Sequence, residues 1–209
     1  HSVGQKGRFS PIQRTPMDMF FGNYNFEYSP SYRAVDLLSR VFSPYDTNPL
    51  NINPLRNVVE EIIDFDDVHA CSSFKTFITA TNVWTGKARV FNEKQVTVDA
   101  VMASACLPTL YKAVEIDGVP YWDGGFGGNP ALYPFFYETE TEDTLLIQIN
   151  PVERRETPKT AQEIQDRMNE ITFNAGLLRE FRAIEFVRRL KEAGRLEGTD
   201  YSVIRMHRV

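Results

Sequence analysis

"VTVDAVMASACLPTLYKAVEIDGVPYWDGGFGGNPAL", residues 96–132, contains a helix, a hairpin and a turn rich in glycine. Thr97 is placed to cap a helix, Asp99 falls in its first turn where a helix N-terminus favours negative charge, and Pro108 stops it. Ala100, Ala103 and Ser104 give that helix a small-residue face suited to close packing. Val114 and Ile116 alternate with polar neighbours, Asp117-Gly118 turns the chain, and Val119 to Trp122 returns as a short strand. Pro120, which has no N–H to donate, argues that this return strand is an edge or ends early. Beyond it stands Asp123, followed by Gly124, Gly125, Gly127 and Gly128 and then Asn129-Pro130.

Working outward, "FKTFITATNV" (residues 74–83) is dense in Phe, Ile and Thr and reads as a strand, with "ARVF" after Thr85-Gly86 as its hairpin partner. Upstream, "NPLRNVVEEIIDF" (residues 53–65) offers Asn53 as a cap, Pro54 in the first turn, and Leu55, Val58, Val59 and Ile62 at helical intervals. A shorter helix is expected from Ser31, through Ala34, Leu37, Leu38 and Val41, ending before Pro44. The opening, residues 1–30, is rich in Pro, Gly and aromatics without clean periodicity and reads as irregular chain covering a core. Its aromatics, Phe20, Phe21, Tyr24, Phe26 and Tyr28, suit core or cover packing better than an interfacial lid.

Downstream, "TLLIQIN" (residues 144–150), closed by Pro151, has the apolar run of a strand buried on both faces. From Thr160 to about Glu197, Ile164, Met168, Ile171, Leu178, Phe181 and Ile184 support one long amphipathic helix or a broken pair, with Gly176 and Gly194 as weak points. "YSVIRMHRV" ends the chain as a strand, and the acidic "ETETED" stretch reads as a solvated loop. Strands with helices between them predict an α/β domain, a layered, mainly parallel sheet flanked by helices.

Composition bounds the function. A chain of 209 residues with 42% hydrophobic residues can bury one sizeable core, so a single domain over 1–209 is expected. A formal charge of −5 argues against general attraction to nucleic acid. Cys71 and Cys106 are too few for a disulfide framework and lack metal-ligand spacing, which suits small buried hydrophobes in a reducing compartment. No run approaches the ~20 apolar residues of a spanning helix. The chain starts at His1 rather than Met, from which a truncated N-terminus is expected.

Asp123 is the candidate for chemistry. A carboxylate at a strand end, followed by residues without side chains, can be held by backbone hydrogen bonds while a reacting group comes close. The plain structural alternative is that Asp123 caps its own turn and the glycines permit tight loops. No G-x-S-x-G occurs, so a nucleophile elbow cannot be placed, and "GGFGG" lacks the Lys-Ser/Thr of a phosphate loop. Ser104 inside a helix, Ser72-Ser73 in a turn and the His69–Cys71 pair are poor nucleophiles by position.

These residues also carry a resemblance. A strand ending in Ala-Thr, a helix running A-S-x-x-x-P, an I-D-G hairpin, and D-G-G followed by N-P resemble, in that order, the C-terminal portion of a patatin-like phospholipase domain. "NPLRNVVEEIIDF" and "NEITFN" are similar to one bacterial subgroup, and the likeness is strongest over residues 44–175. The resemblance implies a Ser-Asp dyad ester hydrolase without metal or other cofactor. Asp123 is its implied dyad carboxylate, and Gly124 and Gly125 form the supporting turn that keeps bulk from the serine. It leaves Gly127 and Gly128 without a separate role.

The family's serine elbow and Gly-rich oxyanion loop have no counterpart here, so the chain alone is expected to be inactive and incomplete at its N-terminus. The partners implied are a lipid or other acyl-ester substrate, peripheral membrane contact, and either the missing N-terminal segment or a second copy; the implied location is cytoplasmic or membrane-peripheral. The competing expectation is a non-catalytic interaction or regulatory module on a hydrolase-like scaffold.

Overall fold

Asn53, Thr97 and Thr160 start helices where the sequence marks them, and two short helices begin at Ser43 and Asp64, which the sequence reading did not mark. A computed structural model of the chain describes residues 41–139, 143–197 and 205–208. Helix α1, Pro44–Thr47, opens where Asp46 accepts the Ser43 N–H at 3.1 Å. Helix α2, Pro54–Ile62, opens at Asn53, whose Oδ1 accepts the Leu55 N–H at 3.1 Å. Helix α3, Phe65–Ala70, is capped by Asp64. The irregular opening expected over residues 1–30, its aromatics and, up to residue 40, the helix expected from Ser31 lie outside the described residues, while Val41, the last expected helical position, is exposed in a turn.

Two hairpins form the main sheet. Strands β1, Phe77–Asn82, and β2, Ala88–Asn92, pair antiparallel from Phe77 opposite Asn92 to Thr81 opposite Ala88. Helix α4, Val98–Ser104, follows, with the Thr97 hydroxyl accepting the Ala100 N–H at 3.3 Å. Strands β3, Val114–Ile116, and β4, Val119–Asp123, then pair across Asp117 and Gly118. Their φ values of 54° and 75° are those of a type I′ turn, which Asp-Gly favours because its second position suits a residue without Cβ.

The strand order is β2-β1-β4-β3. Strand β4 is therefore interior over Tyr121–Asp123 rather than an edge along its length, while its pairing with β1 stops before Pro120, in line with the early end that the proline also allowed. The reason is register: β1 pairs with β4 only at Asp123, Trp122 and Tyr121, so Pro120 lies one residue past the ladder and its missing N–H breaks no rung.

Helix α5, Tyr133–Glu138, leads to β5, Asp143–Leu146, and then to α6, Ala161–Glu192, and β6, Arg205–Arg208. Strands β5 and β6 are parallel, while the four-stranded sheet is antiparallel throughout. The molecule is α/β, and among the described residues its parallel pairing is confined to this second sheet. The apolar run expected to be a strand through residue 150 leaves the ladder at Leu146. Leu146 is buried, but Leu145, Ile147 and Ile149 are exposed, so this run is not covered on both faces.

Helix α6 is unbroken through Gly176, which resolves the choice between one helix and two. Thr160 and Glu163 form a reciprocal capping box at its start, and Gly194 follows its end at φ 69°.

Two apolar clusters flank the Asp123 turn. In the first, Ala80, Phe91, Ala100, Ala103 and Tyr121 pack the small face of α4 onto the sheet, with Phe91 and Tyr121 edge-to-face at 5.7 Å. Burying a side chain such as Phe91 contributes about 2–3 kcal/mol. Arg89 lies over the Phe91 ring and donates to the Tyr121 hydroxyl at 2.7 Å. In the second cluster, Leu132, Leu146 and Leu177 join α6 to β5. Among the described residues no helix is long and apolar enough to cross a membrane.

Candidate active site

Asp123 ends β4 and caps the 3₁₀ turn Gly124–Phe126. Its N–H donates to the Cys106 carbonyl at 2.8 Å, and its carbonyl accepts the Thr81 hydroxyl at 2.8 Å. Its Oδ1 accepts the Gly125 N–H at 2.7 Å. The turn-capping role is therefore real, and it occupies only one carboxylate oxygen. Among the described residues, no hydrogen bond reaches Oδ2 and no ion pair reaches the carboxylate. Burial pushes the Asp123 carboxyl above its ordinary value, and the Gly125 N–H offsets part of that rise.

The glycines have steric explanations. A Cβ on Gly124 would stand 2.1 Å from the Thr79 carbonyl oxygen, so the turn lies directly on the β1 backbone. A Cβ on Gly125 would stand 2.4 Å from the Phe173 ring and 3.0 Å from Asp123 Oδ1. Gly127, with no role readable in the sequence, presses on Ala88 and the Thr81 hydroxyl, each 3.0 Å from an added Cβ. Gly128 is where α6 crosses the loop: a Cβ on Gly176 would lie 3.4 Å from the Gly128 Cα. Two glycines facing each other let helix and loop backbones approach.

Helix α6 forms the back wall of the site, which sequence reasoning missed. Phe173 packs on Phe126 with ring centroids 4.8 Å apart. Buried Asn174 donates to the Pro151 carbonyl at 3.1 Å and accepts from Gln148 at 3.0 Å, fixing the segment after β5. Glu180 accepts the Leu132 N–H, and burial raises its carboxyl. The signals were a glycine in mid-helix and an Asn among apolar neighbours, but neither names its contact.

Asp123 lines a cavity of about 270 Å³ with Asn129, Gln148, Asn150, Phe173 and Asn174 among its walls. Among the described residues bordering it there is no serine, cysteine or histidine. Ser104 closes α4 outside this lining. Cys106 is buried with its thiol directed at the Lys112 carbonyl, 3.2 Å away, and burial pushes it up to about 11, so it is no nucleophile at neutral pH. His69 hydrogen-bonds the Val96 carbonyl through Nε2 at 2.8 Å, and among the described residues no hydrogen bond joins it to Cys71.

A larger recess, about 850 Å³, opens beside the start of α6. Its Arg154 and Arg167 are both paired with Glu170, and its Glu163 is used in the capping box. Among the described residues no group of three or more His, Cys, Asp or Glu is arranged to hold a metal ion.

The α/β scaffold thus presents one desolvated carboxylate from a strand end to a cavity. The chain belongs to the patatin-like phospholipase family, whose model matches residues 16–136, more than half of the 209. Membership places it among lipid acyl hydrolases. Among curated proteins, none matches the chain.

Proposed function

We propose that Asp123 is the carboxylate of a Ser-Asp dyad that hydrolyses lipid acyl esters, and that its serine is not among these 209 residues. The observation that supports this reading is the asymmetry of the carboxylate: Oδ1 is fixed by the Gly125 N–H, while Oδ2 accepts no hydrogen bond from a described residue.

In the proposed reaction the serine hydroxyl adds to the ester carbonyl and passes its proton to Asp123. The proton then goes to the departing alcohol, leaving an acyl-serine that water hydrolyses by the same route. Backbone amides outside these residues supply the oxyanion site. Desolvation raises the carboxyl above the ordinary aspartate value and so makes it a stronger base. An ionised base is active above its pKa, so turnover falls as pH falls through that value. The raised carboxyl places this acid limb above that of an ordinary aspartate. We read the contact with the lipid surface as peripheral.

The test is hydrolysis of a short activated acyl ester by the complete gene product and its Asp123→Asn variant. Asn keeps an oxygen for the Gly125 N–H, so the fold survives, while loss of the base lowers turnover by about 10²–10⁴-fold. Undiminished turnover in the variant refutes the role. No turnover in the complete wild-type protein supports the interaction-module reading instead.

A further inference from the structure

Helix α6 carries two apolar faces, and the site uses only one. Phe173, Leu177, Phe181 and Ile184 face the protein. Ile164, Met168, Ile171 and Leu178 do not, although the same periodicity predicted them: Met168 and Ile171 are 57% and 55% exposed. With Ala175 they recur at intervals of four and three residues, the spacing of a coiled-coil seam. Phe186, 62% exposed, lies on the same face beyond Arg182 and Glu185, which take the next two positions of that spacing, so the face from Ile164 to Phe186 runs about 33 Å at ~1.5 Å per residue. Beside it, Leu178, Phe181 and Phe186 border a groove of about 390 Å³.

We propose that this stripe pairs two copies of the chain, with their α6 helices antiparallel and Ala175 at the two-fold crossing. Three features select a second copy in this orientation. The 4-3 spacing fits a helix as partner. The two halves of α6 have opposite charge: residues 161–174 hold Glu163, Asp166 and Glu170 against Arg167 alone, whereas residues 175–192 hold five cations against three carboxylates. An antiparallel pair sets each acidic half beside a basic one and opposes the helix dipoles, whereas a parallel pair does neither. Crossing at Ala175 also brings Ile164 of each copy to Phe186 and its groove on the other, and the small alanine lets the backbones approach. The pairing does not depend on the role of Asp123.

Sedimentation of the complete protein at micromolar concentration tests the pairing, together with an Ile171→Glu/Leu178→Glu double variant. The expected result is a wild-type dimer and a folded, monomeric variant with unchanged helical circular dichroism. In a Cys71→Ser background, Ala175→Cys forms a disulfide-linked dimer on mild oxidation, whereas Ala183→Cys, off the stripe, does not. A monomeric wild type overturns the proposal, as does a monomer that sediments with anionic phospholipid vesicles, which assigns the stripe to lipid. A double variant that unfolds overturns it too, because the stripe is then covered within one chain. Equal cross-linking at both positions refutes the register.

Discussion

The two sides of the Asp123 turn are built differently. Toward the antiparallel sheet the fit is closed: Gly124 lies on the Thr79 backbone, Gly127 on Ala88, and Ala80, Ala100 and Ala103 are fully buried. Toward the segment after β5 the fit is open: Leu146 is buried, but Ile147 and Ile149 project outward while Gln148 and Asn150 border the cavity. A reacting carboxylate needs both conditions, a seat that does not move and an approach that is not blocked.

Gly124→Ala breaks the closed side and has the largest expected effect. Its Cβ meets a carbonyl oxygen of β1 rather than a side chain that could rotate away, so overpacking costs about 3 kcal/mol. Chemical denaturation measures this, and a loss below about 0.5 kcal/mol, the scale of an ordinary surface change, means that the seat is not tight. Ile149→Ser probes the open side. At 94% exposure the residue has little apolar area to lose, and stability changes by no more than about 0.5 kcal/mol in the same assay. A large loss there means the open side is closed by chain that contacts Ile149, and the contrast between the two sides fails.

The closed side was the legible one. Local chemistry determines it: Asn53 and Thr97 cap helices, Asp117-Gly118 makes a hairpin turn, and each signal sits within a few residues of its effect. Pro120 left two readings, an edge or an early end, because a proline marks a missing rung but not which neighbour would have made it, and that depends on a β1 register set far away in sequence. The run at 144–150 misled for a related reason. Apolar composition fits burial, yet among the described residues β5 pairs with β6 alone.

For Asp123, the carboxylate and its turn could be read from the D-G-G spacing, but the functions of Gly127 and Gly128 could not. Their partners, Ala88 and Gly176, come from a different hairpin and from the middle of α6. The apolar positions of α6 were found by their period, yet period does not distinguish the face on the core from the stripe left outside.

The account rests on the protonation of Asp123. Folding raises its carboxyl, so the folded state holds the proton more tightly than the unfolded chain. Ionised Asp123 therefore opposes folding above its pKa, and that penalty disappears as pH falls through it. The direct measurement is a carbon-13 NMR titration of the Asp123 carboxyl, assigned by its loss in Asp123→Asn. A midpoint clearly above the ordinary aspartate value of about 3.9 is expected. A midpoint at or below it contradicts a desolvated carboxylate facing the cavity.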